Sequence, residues 1–182
     1  MKKLISIFIF LICASLVAQN KDNCDSLDNN IIYDITKTKS SDTIKIYRQK
    51  ITFKDKDIFF TKAFLENYTY PTLGVNSEKV KKLISELDFE YLSKVERKCN
   101  NQWDFKDLTS NIIEYRDTLS SLNNKIVRYQ ISCPVYSKNK KIKFYYVEQN
   151  RGFVGGISSS VIVFKKIKKT WVLYVEFPIS IS

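Results

Sequence analysis

Asp104, Asp107, Glu114 and Asp117 form the densest group of carboxylates in the chain, beside the aromatic residues Trp103 and Phe105. Paired carboxylates next to an aromatic platform are the equipment of a glycan hydrolase, in which one acid protonates the leaving oxygen and the other acts as base or nucleophile. The same side chains serve as helix caps or as partners of Lys106 and Arg116, the commoner use of surface carboxylates. No other conventional proton-transfer group is available, because the chain contains no histidine. That absence removes Ser-His-Asp and Cys-His catalysis, histidine general bases and most zinc or copper sites. Neither a metal nor an organic cofactor is expected.

The second patterned group is basic. Lys138, Lys140 and Lys141 crowd one polar turn, and Lys165, Lys166, Lys168 and Lys169 the next turn but one. If the intervening segments are strands of a meander, alternate turns lie at the same end of the sheet and the two sets converge. Arg151 and the glycines of Arg151-Gly152-Phe153-Val154-Gly155-Gly156 then occupy the opposite end. Converging lysines attract anions such as lipid head groups, acidic glycans or nucleic acid, with strong salt dependence. Lysines also solvate turns and keep strand edges from pairing with other chains, a role that needs no ligand. The glycine segment could offer backbone N–H groups and a guanidinium to an anion, but its spacing matches neither a P-loop nor a dinucleotide fingerprint. A glycine-rich hairpin connection accounts for it. Tyr68 and Tyr70 flank Pro71 at an expected exposed bend, where they could stack on sugars or on a partner protein.

The elements that must position these groups read as helices followed by a sheet. Leu27, Ile31 and Ile35 are spaced four apart, which predicts a short amphipathic helix over 26–37 with Asp25 or Ser26 as its cap. Residues 43–53 alternate Ile44, Ile46 and then Ile51, Phe53, predicting a strand whose phase breaks near Arg48 to Lys50. A short helix or extended stretch is expected in 57–70. Val80, Leu83, Ile84 and Leu87 form a clear helical stripe opened by Ser77, and a second helix over 89–101 keeps a partial period. The weakest pattern lies in 103–122, part of which reads as loop.

From Lys125 onward β-branched and aromatic residues dominate, predicting strands near 126–132, 142–149, 157–165 and 171–177. Ile142, Phe144 and Tyr146 share one face, and Lys143, Tyr145 and Val147 the other; Val161 and Val163 lie opposite Ile162 and Phe164. Apolar residues on both faces mean that the sheet is covered on both sides. The expected fold class is α+β: N-terminal helices packed on a C-terminal antiparallel meander of about four strands, joined by a strand near 43–53.

The first eighteen residues, MKKLISIFIFLICASLVA, have the order of a secretory signal: Lys2 and Lys3, an apolar run too short to span a bilayer comfortably, and Ala18 for cleavage. Cys13 raises a lipoprotein alternative, but Ile12 stands where a small residue is wanted. Residues 19–182 then make one α+β domain, periplasmic or extracellular, with no later apolar run long enough to cross a membrane. The formal net charge is +11, of which the leader lysines supply two, so anionic envelope components are the expected partners and specific nucleic acid binding is not. Cys24, Cys99 and Cys133 remain after cleavage, allowing one disulfide at most without fixing which.

The stretch from Ser132 onward resembles the C-terminal end of a broad set of uncharacterised secreted bacterial proteins. The shared features are Ser132 with Pro134, the Tyr136-Ser137 turn, the loop with Gly152, Gly155 and Gly156, Lys165-Lys166 and Trp171. The resemblance implies export and a terminal meander, and attaches no activity. Together these observations predict an exported, non-enzymatic binding module of the cell envelope, with a carboxylate-dependent secreted hydrolase acting on glycans as the alternative.

Overall fold

The computed structural model describes residues 27–39, 42–51, 61–69, 74–95, 102–115, 127–151 and 156–181. The leader, Cys24, Cys99, Asp117, Tyr70 and Pro71, and the glycine segment 152–155 lie outside them. Its elements are α1 (Asn29–Thr36), β1 (Ile44–Tyr47), α2 (Lys62–Asn67), α3 (Ser77–Glu86), α4 (Phe89–Lys94), β2 (Ile112–Tyr115), β3 (Arg128–Ile131), β4 (Val135–Tyr136), β5 (Ile142–Asn150), β6 (Ile157–Ile167) and β7 (Thr170–Ile181). The strands form one seven-stranded sheet in the order β2-β1-β3-β5-β6-β7, with β4 on β5.

The α+β class holds, and β3, β5, β6 and β7 are antiparallel as the terminal pattern requires. The sheet is nevertheless mixed and larger than a meander. β1 runs parallel to both β2 and β3, and β2 lies inside the stretch with the weakest sequence pattern. A strand of four residues, Ile-Ile-Glu-Tyr, is too short to show a clean alternation, so its pairing comes from tertiary context. The phase break after Tyr47 is real: among the described residues just beyond it, Gln49 and Ile51 make isolated bridges.

Helix boundaries follow their caps. Asp28 caps α1 by accepting from Asn30 N–H at 2.8 Å, in place of the expected Asp25 or Ser26. Asn76, one residue before Ser77, caps α3 by accepting from Lys79 N–H at 3.0 Å. Asp88 caps α4 through Tyr91 N–H, and α4 ends at Lys94 with Val95 extended; residues 96–101 of the expected helix lie outside the described residues. Each of these side-chain acceptors satisfies one of the N–H groups that a helix start leaves without an internal partner.

Two cores result, one on each face of the sheet. Phe144, Tyr146, Val161, Val163, Val175 and Phe177 face Leu65, Val80, Leu83 and Leu92 of α2, α3 and α4. Tyr145, Val147, Ile162 and Phe164 face the opposite way, toward Ile31, Ile32 and Ile35 of α1, with Trp103 in the same cluster. The strict alternation along β5 and β6 is what separates the two sets. Tyr68 belongs to the first core. It is buried, its ring sits 4.9 Å from that of Phe177, and its hydroxyl donates to the Pro178 carbonyl. This corrects the expectation of an exposed stacking tyrosine.

Ser132 to Pro134 interrupts the run between β3 and β4, which pair successively with β5. The buried Ser132 hydroxyl accepts from Tyr146 N–H at 2.8 Å and donates to the Cys133 carbonyl at 2.9 Å. A hydroxyl thereby substitutes for a backbone carbonyl where the strand leaves its ladder.

Candidate functional site

The two lysine-bearing turns do meet at one end of the sheet. Ile142 pairs with Lys165, and Lys166 N–H donates to the Lys141 carbonyl at 2.8 Å, so the β4–β5 and β6–β7 turns lie side by side. Lys140 (φ 53°) and Lys168 (φ 57°) take left-handed conformations there. Arg151 is at the far end, where its N–H donates to the Gly156 carbonyl at 3.2 Å, and it takes no part in the cluster.

The seven lysines are not equivalent. Lys138 Nζ lies 3.0 Å from the Asp88 carboxylate. That carboxyl is held below its usual range by the Tyr91 N–H and then by Lys138, while the Lys138 ammonium is held above its ordinary value by Asp88. Lys165 Nζ lies 2.6 Å from the Glu86 carboxylate. These two lysines clamp the basic end onto α3 and α4. Lys141, Lys166, Lys168 and Lys169 are exposed and have no carboxylate partner among the described residues. The expected seven-lysine patch is thus a patch of these four with Lys140 beside them.

Directly beneath this end, on the α1 face, lies a cleft of about 680 Å³. Its floor is Lys143 and Tyr145 of β5, one wall is Tyr136 and Trp171, and the other is the start of α1 with Asp107 and Thr109. The α1 wall is tied to the 102–111 segment: Thr109 N–H donates to the Asn29 side chain at 3.1 Å, and the Tyr33 hydroxyl donates to Asn111 Oδ1 at 3.0 Å. Tyr136 and Trp171 stand with ring centroids 6.0 Å apart.

Lys143, placed by the sequence pattern on one face with Tyr145 and Val147, was not among the expected site residues. Only 3% of it is exposed, and its ammonium sits over the rings of Trp171 (4.3 Å), Tyr145 (5.4 Å) and Phe164 (5.8 Å). No hydrogen-bond or ion-pair partner holds it among the described residues. Burial brings its pKa down to about 8; the Asp28 carboxylate pulls it up and the neighbouring Lys166 pushes it down. Burying an ammonium without a counter-charge is costly, and ring faces offset only part of the loss of water. Its signal in the sequence was a charged residue on the inward face shared with Tyr145 and Val147.

The predicted carboxylates divide. Asp104 accepts from Lys106 N–H at 3.0 Å, and its other oxygen is 3.9 Å from Lys106 Nζ. Glu114 takes both an Nε contact and an Nη2 hydrogen bond from Arg48, each at 2.9 Å, across β1 and β2. Asp107 alone of the described three reaches the cleft, which it lines together with Asp28. Among the described residues no three potential metal ligands come together, and no helix is long and apolar enough to cross a membrane.

No family model, no curated protein and no solved structure matches this chain.

Proposed function

We propose that the protein is an exported, non-enzymatic binding module of the cell envelope that engages an acidic glycan through the basic end of its sheet. The observation that carries this reading is the hydrogen-bonded apposition of two turns, which concentrates Lys141, Lys166, Lys168 and Lys169 with no carboxylate partner among the described residues. An aromatic-walled cleft opens beside the same end, and rings flanked by cations suit a sugar polymer better than a flat lipid surface. The leader-like first eighteen residues and the resemblance to secreted bacterial proteins support an envelope location.

Sedimentation with polygalacturonate tests the reading, with a neutral galactan and anionic phosphatidylglycerol vesicles as the other arms. Retention on polygalacturonate alone at low salt, lost when the four lysines become glutamine, supports it. Equal retention on vesicles, or none on any arm, contradicts it.

A glycan hydrolase is the second reading, favoured by one observation: Asp28 and Asp107 both line the cleft beside Trp171. It predicts release of reducing ends from an acidic glycan, abolished by Asp107→Asn. No release from any glycan that the protein binds removes it.

A further inference from the structure

Lys143 is an almost fully buried lysine that lines the cleft. Its Nζ rests on aromatic faces at 4.3 to 5.8 Å, and among the described residues no acceptor is bonded to it. The Asp28 carboxylate acts on it through its charge while one of its oxygens caps α1 through Asn30 N–H. The cleft that Lys143 lines has a volume of about 680 Å³, within the range of small-ligand sites, about 300–1,000 Å³. One wall presents the rings of Tyr136 and Trp171, the other the polar groups of Asn30, Asp107 and Thr109.

We propose that this cleft seats one carboxylated sugar residue, its carboxylate on the Lys143 ammonium and its ring face against Trp171. This inference rests on the acidic-glycan reading and names the unit recognised. Each part of such a sugar has a counterpart here. The carboxylate supplies the missing counter-charge in a site where burial makes an ion pair strong. The C–H face of the ring stacks on the indole, and hydroxyls on the far side meet Asp107 and the start of α1. A neutral sugar leaves the ammonium unpaired, so the site discriminates by the same burial that makes Lys143 costly.

The charged or titratable groups around Lys143 are Asp28 and Tyr33 from α1, Tyr136 from β4, Tyr145 from β5, Lys166 from β6 and Asp107 from the 102–111 segment. With a pKa of about 8 in the free protein, the ammonium is lost as pH rises, so affinity for the acid falls about tenfold per unit above pH 8. A bound carboxylate favours the charged amine, and binding near pH 8 takes up protons.

Galacturonic acid, its methyl ester and galactose are titrated into the full mature chain by NMR and calorimetry, following the Trp171 indole N–H. The acid is expected to bind at least tenfold more tightly than either neutral analogue, to shift Trp171, and to lose at least tenfold in Lys143→Met or at pH 9.5. Equal binding of acid and methyl ester, or an undiminished affinity in a folded Lys143→Met variant, overturns the inference. A variant with Lys141, Lys168 and Lys169 as glutamine, which leaves Lys166 beside Lys143 in place, separates it from the acidic-glycan reading. That variant should lose the polymer yet keep the monosaccharide. If it loses the polymer while Lys143→Met binds polymer and monosaccharide normally, the reading stands and the cleft assignment falls. If no acidic polymer binds at all, the reading itself falls.

Discussion

Replacing Lys143 with methionine should stabilise the fold at and below neutral pH, an unusual result for a buried position. The side chain is 3% exposed and burial lowers its pKa from 10.5 to about 8. At about 1.36 kcal/mol for each pKa unit, that difference corresponds to a penalty of roughly 3 kcal/mol on the charged native state. The three ring contacts return about 0.5–2 kcal/mol, and methionine, similar in length and favourable against aromatic rings, keeps the packing. A net gain of about 1–3 kcal/mol follows. The sign of its pH dependence is fixed by linkage. Below pH 8 the amine is protonated in both folded and unfolded chains, and the penalty is present in full. As pH rises from 8 toward 10.5 the native amine becomes neutral while the unfolded one still holds its proton, so the penalty fades. Urea unfolding of the wild type and Lys143→Met between pH 6 and 9.5 measures this. The variant should be the more stable at pH 6, with the gap closing as pH climbs. A variant that is less stable by the same amount at every pH would show that the ammonium is a net stabilising group and would refute the reasoning.

The remaining predictions concern the supports of the site. Ser132→Ala leaves the buried Tyr146 N–H without its acceptor and should cost about 1–3 kcal/mol in urea unfolding, whereas Ser132→Thr, which keeps the hydroxyl, should recover part of the loss. Lys168→Gly relieves a left-handed residue in the β6–β7 turn and should raise stability by about 1 kcal/mol while removing one cation from the patch; a loss of stability would contradict the turn geometry. Leu83→Ala, in the core between α3 and the sheet, should cost about 2–5 kcal/mol and leave the chemical shifts of the Trp171 indole unchanged, since α3 covers the other face.

What the sequence made legible was set by periodicity, and what it hid was set by pairing. The terminal strands could be read because Ile142 to Val147 and Val161 to Phe164 alternate over enough residues to define both faces, and those faces separate the two cores. The α3 stripe was equally clear. β2 was not, because Ile112 to Tyr115 is short and its partner β1 lies far away in sequence. The α1 cap was misplaced by two to three residues because Asp25, Ser26 and Asp28 are all good capping residues and only the chain path selects among them, whereas α3 opens at Ser77 as its stripe predicts. The lysine turns converged as the meander rule requires. The pairing of Lys138 with Asp88 and of Lys165 with Glu86 depends on where α3 and α4 dock, and no spacing in the chain records that. Lys143 lay in view on an inward face among apolar residues, a conflict between residue type and position that marks functional sites more often than errors.

In the proposed function an acidic glycan binds at the basic end of the sheet through Lys141, Lys166, Lys168 and Lys169. The most direct test of this binding is the dependence of polygalacturonate affinity on salt for the wild type and for the variant with these four lysines as glutamine. Affinity should fall steeply with ionic strength in the wild type, and the variant should bind weakly with a much flatter slope. Wild-type binding that ignores salt, or a variant with the same affinity and slope, would contradict the account.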